Sequence, residues 1–277
     1  MVTAKTVLIT GCSSGIGYAT AQVLKQRGHR VFATARKPDD VARLAAEGFT
    51  ALRLDLADSA SIRAAVAELL VLTGGTLDAV FNNAAFGQPG AVEDLGREVL
   101  RQQFETNVFG TQELTNLLIP VMRRQGHGRI IYNSSVLGLV AMTYRGAYNA
   151  SKFALEGLAD TLRLELHGTG IYIALIEPGP IRSDFRKNAF ALYQANIDPS
   201  QSYHHGTYQA LAARLQKQGP AAPFTLPAEA VAAKVVHALE AKRPKIRYYV
   251  TFPTYLFGFL KRILPAAWLD VLLRKAA

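Results

Sequence analysis

The chain has 277 residues, 49% of them hydrophobic, and a formal charge of +10 from 31 Lys plus Arg against 21 Asp plus Glu. Disorder is excluded, because a chain this long and apolar buries roughly three quarters of its unfolded surface as one large domain or two small ones. A single cysteine, Cys12, excludes an internal disulfide, and no Cys/His spacing suggests structural zinc.

In chain order, Thr6 to Thr10 reads as a buried strand, followed by a glycine turn, a helix to about Gly28 and a second strand over Arg30 to Ala35. Further strands are predicted near Thr50 to Leu54, Leu77 to Asn82, Arg129 to Ser134, Ile171 to Ile176 and Lys245 to Val250, with helix-length segments between them. Apolar strands joined by helices predict an α/β fold, a single doubly wound parallel sheet covered on both faces. We read residues 1–277 as one domain. Six of the 12 prolines lie between Pro178 and Pro227. That stretch reads as irregular, and residues 178–226 are expected to form a substrate lid. His204 and His205 within it lack obvious carboxylate partners, so no metal is expected.

The N-terminus reads as a strand rather than an export signal, and a cytoplasmic location is expected. Eight cations and one acid after residue 240 give that segment +7, leaving +3 for the first 240 residues. No nucleic-acid motif accompanies the charge, and no nucleic-acid partner is expected. Tyr248 to Leu260 carries no charge but is too short to span a bilayer. Residues 251–277 read as an amphipathic, basic and aromatic tail. Three outcomes stay open for it: peripheral membrane contact, a cover over the pocket, or a subunit interface.

Four features suggest chemistry. Thr10-Gly11-Cys12-Ser13-Ser14-Gly15-Ile16-Gly17 lies between a strand and a helix, where free N–H groups can hold a pyrophosphate. The same glycines also serve simple helix-on-strand packing. The second strand ends in Arg36-Lys37 with no carboxylate, which suits a 2′-phosphate and hence NADP(H), unless both cations are merely solvated. Tyr148 and Lys152 sit one helical turn apart, and Leu155, Ala159, Leu162 and Leu166 continue that face, so Lys152 points inward. An ammonium about 4 Å from a phenol contributes roughly 4 kcal/mol at an effective dielectric near 20. That equals about 3 pKa units, which would poise Tyr148 near neutrality as an acid/base. Asn107 interrupts the apolar face formed by Leu100, Phe104, Thr111, Leu114 and Leu118; a satisfied core asparagine reads equally well. Ser134 and Ser135 end a strand on the edge that carries the glycine turn.

Together these residues resemble the short-chain dehydrogenase/reductase family from about Lys5 to Val250. The motifs are T-G-x-x-x-G-x-G at Thr10 to Gly17, Asn82-Asn83-Ala84, Asn107, Ser135, Tyr148-x-x-x-Lys152 and Pro178-Gly179. The resemblance implies Tyr148 as general acid/base, Ser135 holding the substrate oxygen, Lys152 binding the nicotinamide ribose and lowering the Tyr148 pKa, and Asn107 anchoring a water. It also implies cofactor contacts from Gly11, Ser13, Ser14, Gly15, Ile16, Gly17, Asp55, Leu56, Asn83, Ala84, Pro178, Gly179, Ile181 and Ser183. The chain departs from the family at Ala85, where a glycine is usual; if that position needs positive φ, alanine costs about 1 kcal/mol or shifts the turn. The strand end Ala33 to Arg36, the run Ile176 to Ile181 and the tail look most like retinol dehydrogenases, 17β-hydroxysteroid dehydrogenases and similar bacterial aldehyde reductases. An NADP(H)-dependent oxidoreductase for aldehydes or ketones follows, with a homo-oligomer, dimer or tetramer, expected. Phe185, Phe190, Leu192, Tyr193, Tyr203, Tyr208 and Phe224 suggest a lipophilic substrate. The competing reading is a sensor or scaffold that binds NADP(H) without turnover.

Overall fold

The computed structural model describes residues 3–220 and 222–276. Seven parallel strands, β1 (Thr6–Ile9), β2 (Arg30–Ala35), β3 (Thr50–Arg53), β4 (Ala79–Asn82), β5 (Gly128–Asn133), β6 (Ile171–Glu177) and β7 (Arg247–Tyr249), form one sheet in the order β3-β2-β1-β4-β5-β6-β7. Helices α1 (Gly15–Gln26), α2 (Pro38–Ala46), α3 (Ser59–Thr73), α4 (Arg97–Phe104), α5 (Thr111–Gln125) and α6 (Gly146–Glu165) are followed by α7 (Phe185–Asn196), α8 (His205–Gln216), α9 (Glu229–Glu240), α10 (Phe252–Ile263) and α11 (Ala266–Ala276). This is the expected doubly wound sheet. Side chains alternate across it: Leu8, Phe32, Val80, Ile130 and Tyr132 face α3, α5 and α6, whereas Val7, Ile9, Val31, Phe81 and Ile131 face α1, α2 and α9. The order reverses at β1 and β4, so the crevice where ligands bind in such sheets opens between their carboxyl ends.

Three local features differ from a simple reading of the pattern. The segment after Pro178 is not irregular: α7 and α8 occupy much of it. Its prolines stand at helix borders, with Pro199 opening a short 3-10 turn and Pro220, Pro223 and Pro227 lying in the loop before α9. Tyr193, Tyr208 and Ile197 pack with Leu95 and Ala147 into a small core, so much of the segment's aromatic surface anchors the segment itself. Between α4 and α5 the chain widens into a π turn over Glu105–Gly110. A Cβ on Gly110 would stand 1.7 Å from the Leu56 carbonyl oxygen, so this wide turn can approach the end of β3 only with glycine.

Candidate active site

The turn after β1 is fixed from beneath. Thr10 Oγ1 accepts from the Asn83 and Ala84 N–H groups, and Asn83 Nδ2 donates to the carbonyls of Thr10 and Gly11. Gly11 and Gly15 take φ of 71° and 59°, a region open to glycine. A Cβ on Gly17 would meet Gly11 O at 2.2 Å, so the third glycine lets helix and turn touch. Ser14 opens α1 without a side-chain cap bond, and no acid lies in the first turn. Backbone N–H groups at this helix start, in a cradle a side chain would fill, are fitted to a pyrophosphate. Ser13 is exposed, and its carbonyl accepts from Arg43. Cys12 is buried inside the turn, and burial pushes its thiol up to about 12, leaving it no reactive role.

The other expected positions lie on separate segments. Ser183 Cβ lies 3.1 Å from where a Gly15 Cβ would stand, which brings the segment after β6 over the helix start. Ile181 bridges Leu226, and a Cβ on Gly179 would stand 2.2 Å from Thr251 Oγ1, so Pro178-Gly179 is wedged against the start of α10. Ile16 and Ile181 pack on the core. Asp55 and the buried Leu56 follow β3, with Asp55 Oδ1 accepting from Ala57 N. Arg36 and Lys37 are exposed at the end of β2 and, among the described residues, their side chains form no ion pair or hydrogen bond. Ala85 is not in the left-handed region, so the alanine there costs no backbone strain. A cavity of about 550 Å³ lies beside Gly15 between α1 and Pro227–Glu229, outside the Tyr148 cluster.

The polar cluster assembles one strand away. Ser135 follows β5 and Tyr148 lies in the first turn of α6. The two strand-end serines diverge: Ser135 Oγ accepts from Leu137 N, faces the Pro178 carbonyl and lies on the Tyr148 side, whereas Ser134 turns toward Glu156 beside Gly138. Lys152 is only 2% exposed, and its Nζ donates to the Asn133 carbonyl at 2.6 Å, 5.5 Å from the Tyr148 ring centre. Asn107 is buried in the π turn, where Nδ2 donates to Phe86 O and Ser151 Oγ, and Oδ1 accepts from Phe86 N. Ser151 Oγ in turn donates to the Tyr148 carbonyl at 2.8 Å. Asn107 therefore reaches the helix that carries Tyr148 and Lys152 through Ser151. The ring of Phe185, from α7, lies 5.3 Å from that of Tyr148 and closes over it beside Gly87.

The expected depression of the Tyr148 pKa toward neutrality does not occur in this arrangement. Burial pushes the phenol up to about 12 against the pull of Ser135, while burial lowers Lys152 to about 8 despite Glu156. The ammonium is directed at Asn133 rather than the phenol, so desolvation outweighs the attraction between them. At neutral pH Tyr148 holds its proton and Lys152 is mostly charged.

Behind Lys152 lies a buried ionic cluster that charge counting missed. Arg247 donates from Nη2 to Glu156 at 2.9 Å and Asp160 at 2.8 Å, and from Nε to Glu177 at 3.0 Å. Glu177 is fully buried, and burial beside Glu156 raises its pKa to about 9. The cluster ties α6, β6 and β7 together directly before Pro178. Arg247 is thus neutralised internally and does not belong to the surface charge of the tail. An acid closing the otherwise apolar β6 was the visible signal in the sequence. His204 meets Glu93 and Tyr144, but among the described residues no group of three or more His, Cys, Asp or Glu is placed to hold a metal.

Residues 5–194 match the family described as short chain dehydrogenase. This chain belongs to that family. The short chain dehydrogenase is 44% identical over 270 residues to the Escherichia coli (strain K12) protein named uncharacterized oxidoreductase YbbO, covering 98% of this chain and 94% of that protein. It is 35% identical over 258 residues to human 17-beta-hydroxysteroid dehydrogenase type 1, covering 88% and 77%. It is 33% identical over 277 residues to an NADPH-dependent 3-dehydrocapnine reductase of Ornithobacterium rhinotracheale, covering 97% and 95%. The short chain dehydrogenase is therefore an oxidoreductase of the branch that its strand ends and tail resembled.

Proposed function

We propose that the chain is an NADP(H)-dependent carbonyl reductase that converts a lipophilic aldehyde or ketone to its alcohol, or runs the reverse oxidation. The observation that carries this reading is the convergence of Ser135, Tyr148 and the buried Lys152, whose Nζ lies 5.5 Å from the Tyr148 ring centre. The residues around the glycine turn, from Gly11 to Gly17 with Asp55, Leu56, Asn83, Ala84 and Pro178 to Ser183, would hold the dinucleotide. Arg36 and Lys37 would take its 2′-phosphate, since among the described residues the side chains of both are free of partners and β2 ends without a carboxylate. The NADPH dependence of the Ornithobacterium relative supports the same choice. When bound, NADPH supplies the hydride for the carbonyl carbon.

Tyr148, protonated at neutral pH, donates its Oη proton to the substrate oxygen, and Ser135 donates a hydrogen bond to that oxygen. The Lys152 ammonium then stabilises the phenolate. Asn107 and Ser151 hold the main chain of α6 so that the two hydroxyls stay aligned. Phe185 excludes water and offers apolar contact to the substrate, in keeping with a steroid-acting relative. Exposed Phe109, Phe153, Leu158 and Leu164 on and beside α6 suit a homo-oligomer, and the exposed apolar side of the tail suits peripheral contact with a membrane reached from the cytoplasm.

NADPH consumption with medium-chain aldehydes, retinal and ketosteroids tests this reading. Turnover on at least one is expected, with a loss of about 10²–10⁴-fold in Tyr148→Phe and unchanged NADPH binding. Tight NADPH binding with no turnover on any carbonyl would make the chain a sensor instead, and full activity in Tyr148→Phe would refute the mechanism.

A further inference from the structure

The two tail helices bury little of their apolar surface. On α10 the inward stripe is Thr254, Phe257 and Gly258, and on α11 it is Leu269 and Leu273; Phe257, Leu269 and Leu273 pack on Val136, Leu137 and Val140, the turn that follows Ser135. The opposite stripe, Phe252, Tyr255, Leu256, Phe259 and Ile263, continues through Trp268, Val271 and Leu272, with each residue between 38% and 68% exposed. At about half of 150–250 Å² for each large side chain, this amounts to roughly 800 Å², more than monomeric proteins usually leave in one patch. Among the described residues no helix is long and apolar enough to cross a membrane.

Beside this stripe is a cleft of about 220 Å³ lined by Lys234, Lys245, Arg247, Tyr248, Tyr249, Tyr255 and Arg262. Arg247 is occupied by Glu156, Asp160 and Glu177, and the Tyr248 hydroxyl by His237 and Lys245 N. Lys234, Lys245 and Arg262, and the hydroxyls of Tyr249 and Tyr255, form no side-chain hydrogen bond or ion pair among the described residues. No carboxylate lines the cleft. Three uncompensated cations and two phenols around a space several times the ~30 Å³ of one water form an anion site. Tyr255 and Arg262 are seven residues apart on α10, so the cleft opens at the edge of the same stripe that carries Phe259.

We propose that this cleft holds the phosphate of an anionic phospholipid headgroup while the outward stripe of α10 and α11 lies in the bilayer surface. The proposal rests on the peripheral contact suggested above and narrows it to a lipid class and a set of residues. A bilayer matches both halves of the surface at once, apolar where the helices face outward and anionic where the cations gather. A second copy of the chain fits less well. A two-fold interface here would set Lys245 and Arg262 against their own counterparts, which costs affinity.

The test is co-sedimentation of the full chain with vesicles of phosphatidylcholine alone and of phosphatidylcholine with phosphatidylglycerol. Binding to the anionic vesicles is expected to exceed binding to the neutral ones at least tenfold. Lys245→Gln with Arg262→Gln should weaken it about twenty-fivefold, each cation near a charged surface contributing a factor of about five. Lys242→Gln with Arg243→Gln, which removes equal charge outside the cleft, should weaken it less, and thermal unfolding verifies that both variants stay folded. Equal losses in the two double variants would overturn the headgroup site while leaving a general membrane contact intact. Binding that is equal on neutral and anionic vesicles, and abolished only by Phe259→Ser with Trp268→Ser, would do the same. If no vesicle binds, both ideas fail; inorganic phosphate raising the unfolding temperature would then mark a soluble phosphate as the ligand, and concentration-dependent sedimentation a second copy. Carbonyl turnover is read separately, so loss of vesicle binding with activity retained leaves the catalytic proposal standing.

Discussion

Arg247→Gln isolates the role of the buried ionic cluster. Three carboxylates, on Glu156, Asp160 and Glu177, lie within about 3.0 Å of this one guanidinium, and Glu177 is wholly buried. Removing the cation leaves Glu156 without its counter-charge and Glu177 Oε1 without its donor, and breaking such a cluster from one side costs about 3–5 kcal/mol. In a chain of this size that lowers Tm by roughly 10 °C at pH 7. The loss depends on pH in a determined direction. A buried carboxyl whose pKa is raised on folding destabilises the folded state progressively as pH rises from its unfolded value near 4.3 toward its folded value, at about 1.4 kcal/mol per unit for each group. Glu177, pushed up to about 9, stays protonated below that pH with or without the arginine, whereas Arg247 restrains the rise for Glu156, so the deficit of Arg247→Gln grows through Glu156 as pH climbs toward 8 and shrinks in acid. Adding Glu177→Gln removes the carboxyl with the most strongly raised pKa and should return part of the loss. Thermal unfolding of the parent, both single variants and the double variant across that pH range is the assay. A shift of less than about 2 °C at pH 7, or a deficit independent of pH, would refute the assignment of Arg247 as the counter-charge.

Two further outcomes bear on the site. Arg36→Glu is expected to lower the ratio of kcat/KM for NADPH to that for NADH by roughly a hundredfold, the loss of a charge-assisted contact to one phosphate; an unchanged ratio would show that Arg36 is only solvated. Because Lys152 titrates at about 8 and Tyr148 at about 12, kcat/KM for reduction should fall as pH rises above 8, when the ammonium beneath the phenol is lost, with Tyr148 still protonated. A profile flat to pH 10 would mean the charge on Lys152 is not used.

The sheet and its order of elements were legible because apolar runs of strand length alternate with helical patterns, and β2 begins and ends where the pattern placed it. The tail was legible in composition, though not which half of each helix it buries. What remained hidden depends on contacts between residues far apart in the chain. The π turn at Asn107 arises because Gly110 must pass Leu56, and periodicity alone continues α4 straight into α5. Lys152 was correctly expected to point inward, yet its distance from the phenol was assumed. The chain directs it to Asn133 instead, and at Tyr148 burial is then the dominant influence and raises the pKa. Arg247 shows the same limit for charge. Counted along the chain it belongs to a basic tail, but in space it neutralises a core, and the charge of the cleft beside α10 is left to Lys234, Lys245 and Arg262. Counting residues identifies which charges exist; only packing decides which of them can still meet a ligand.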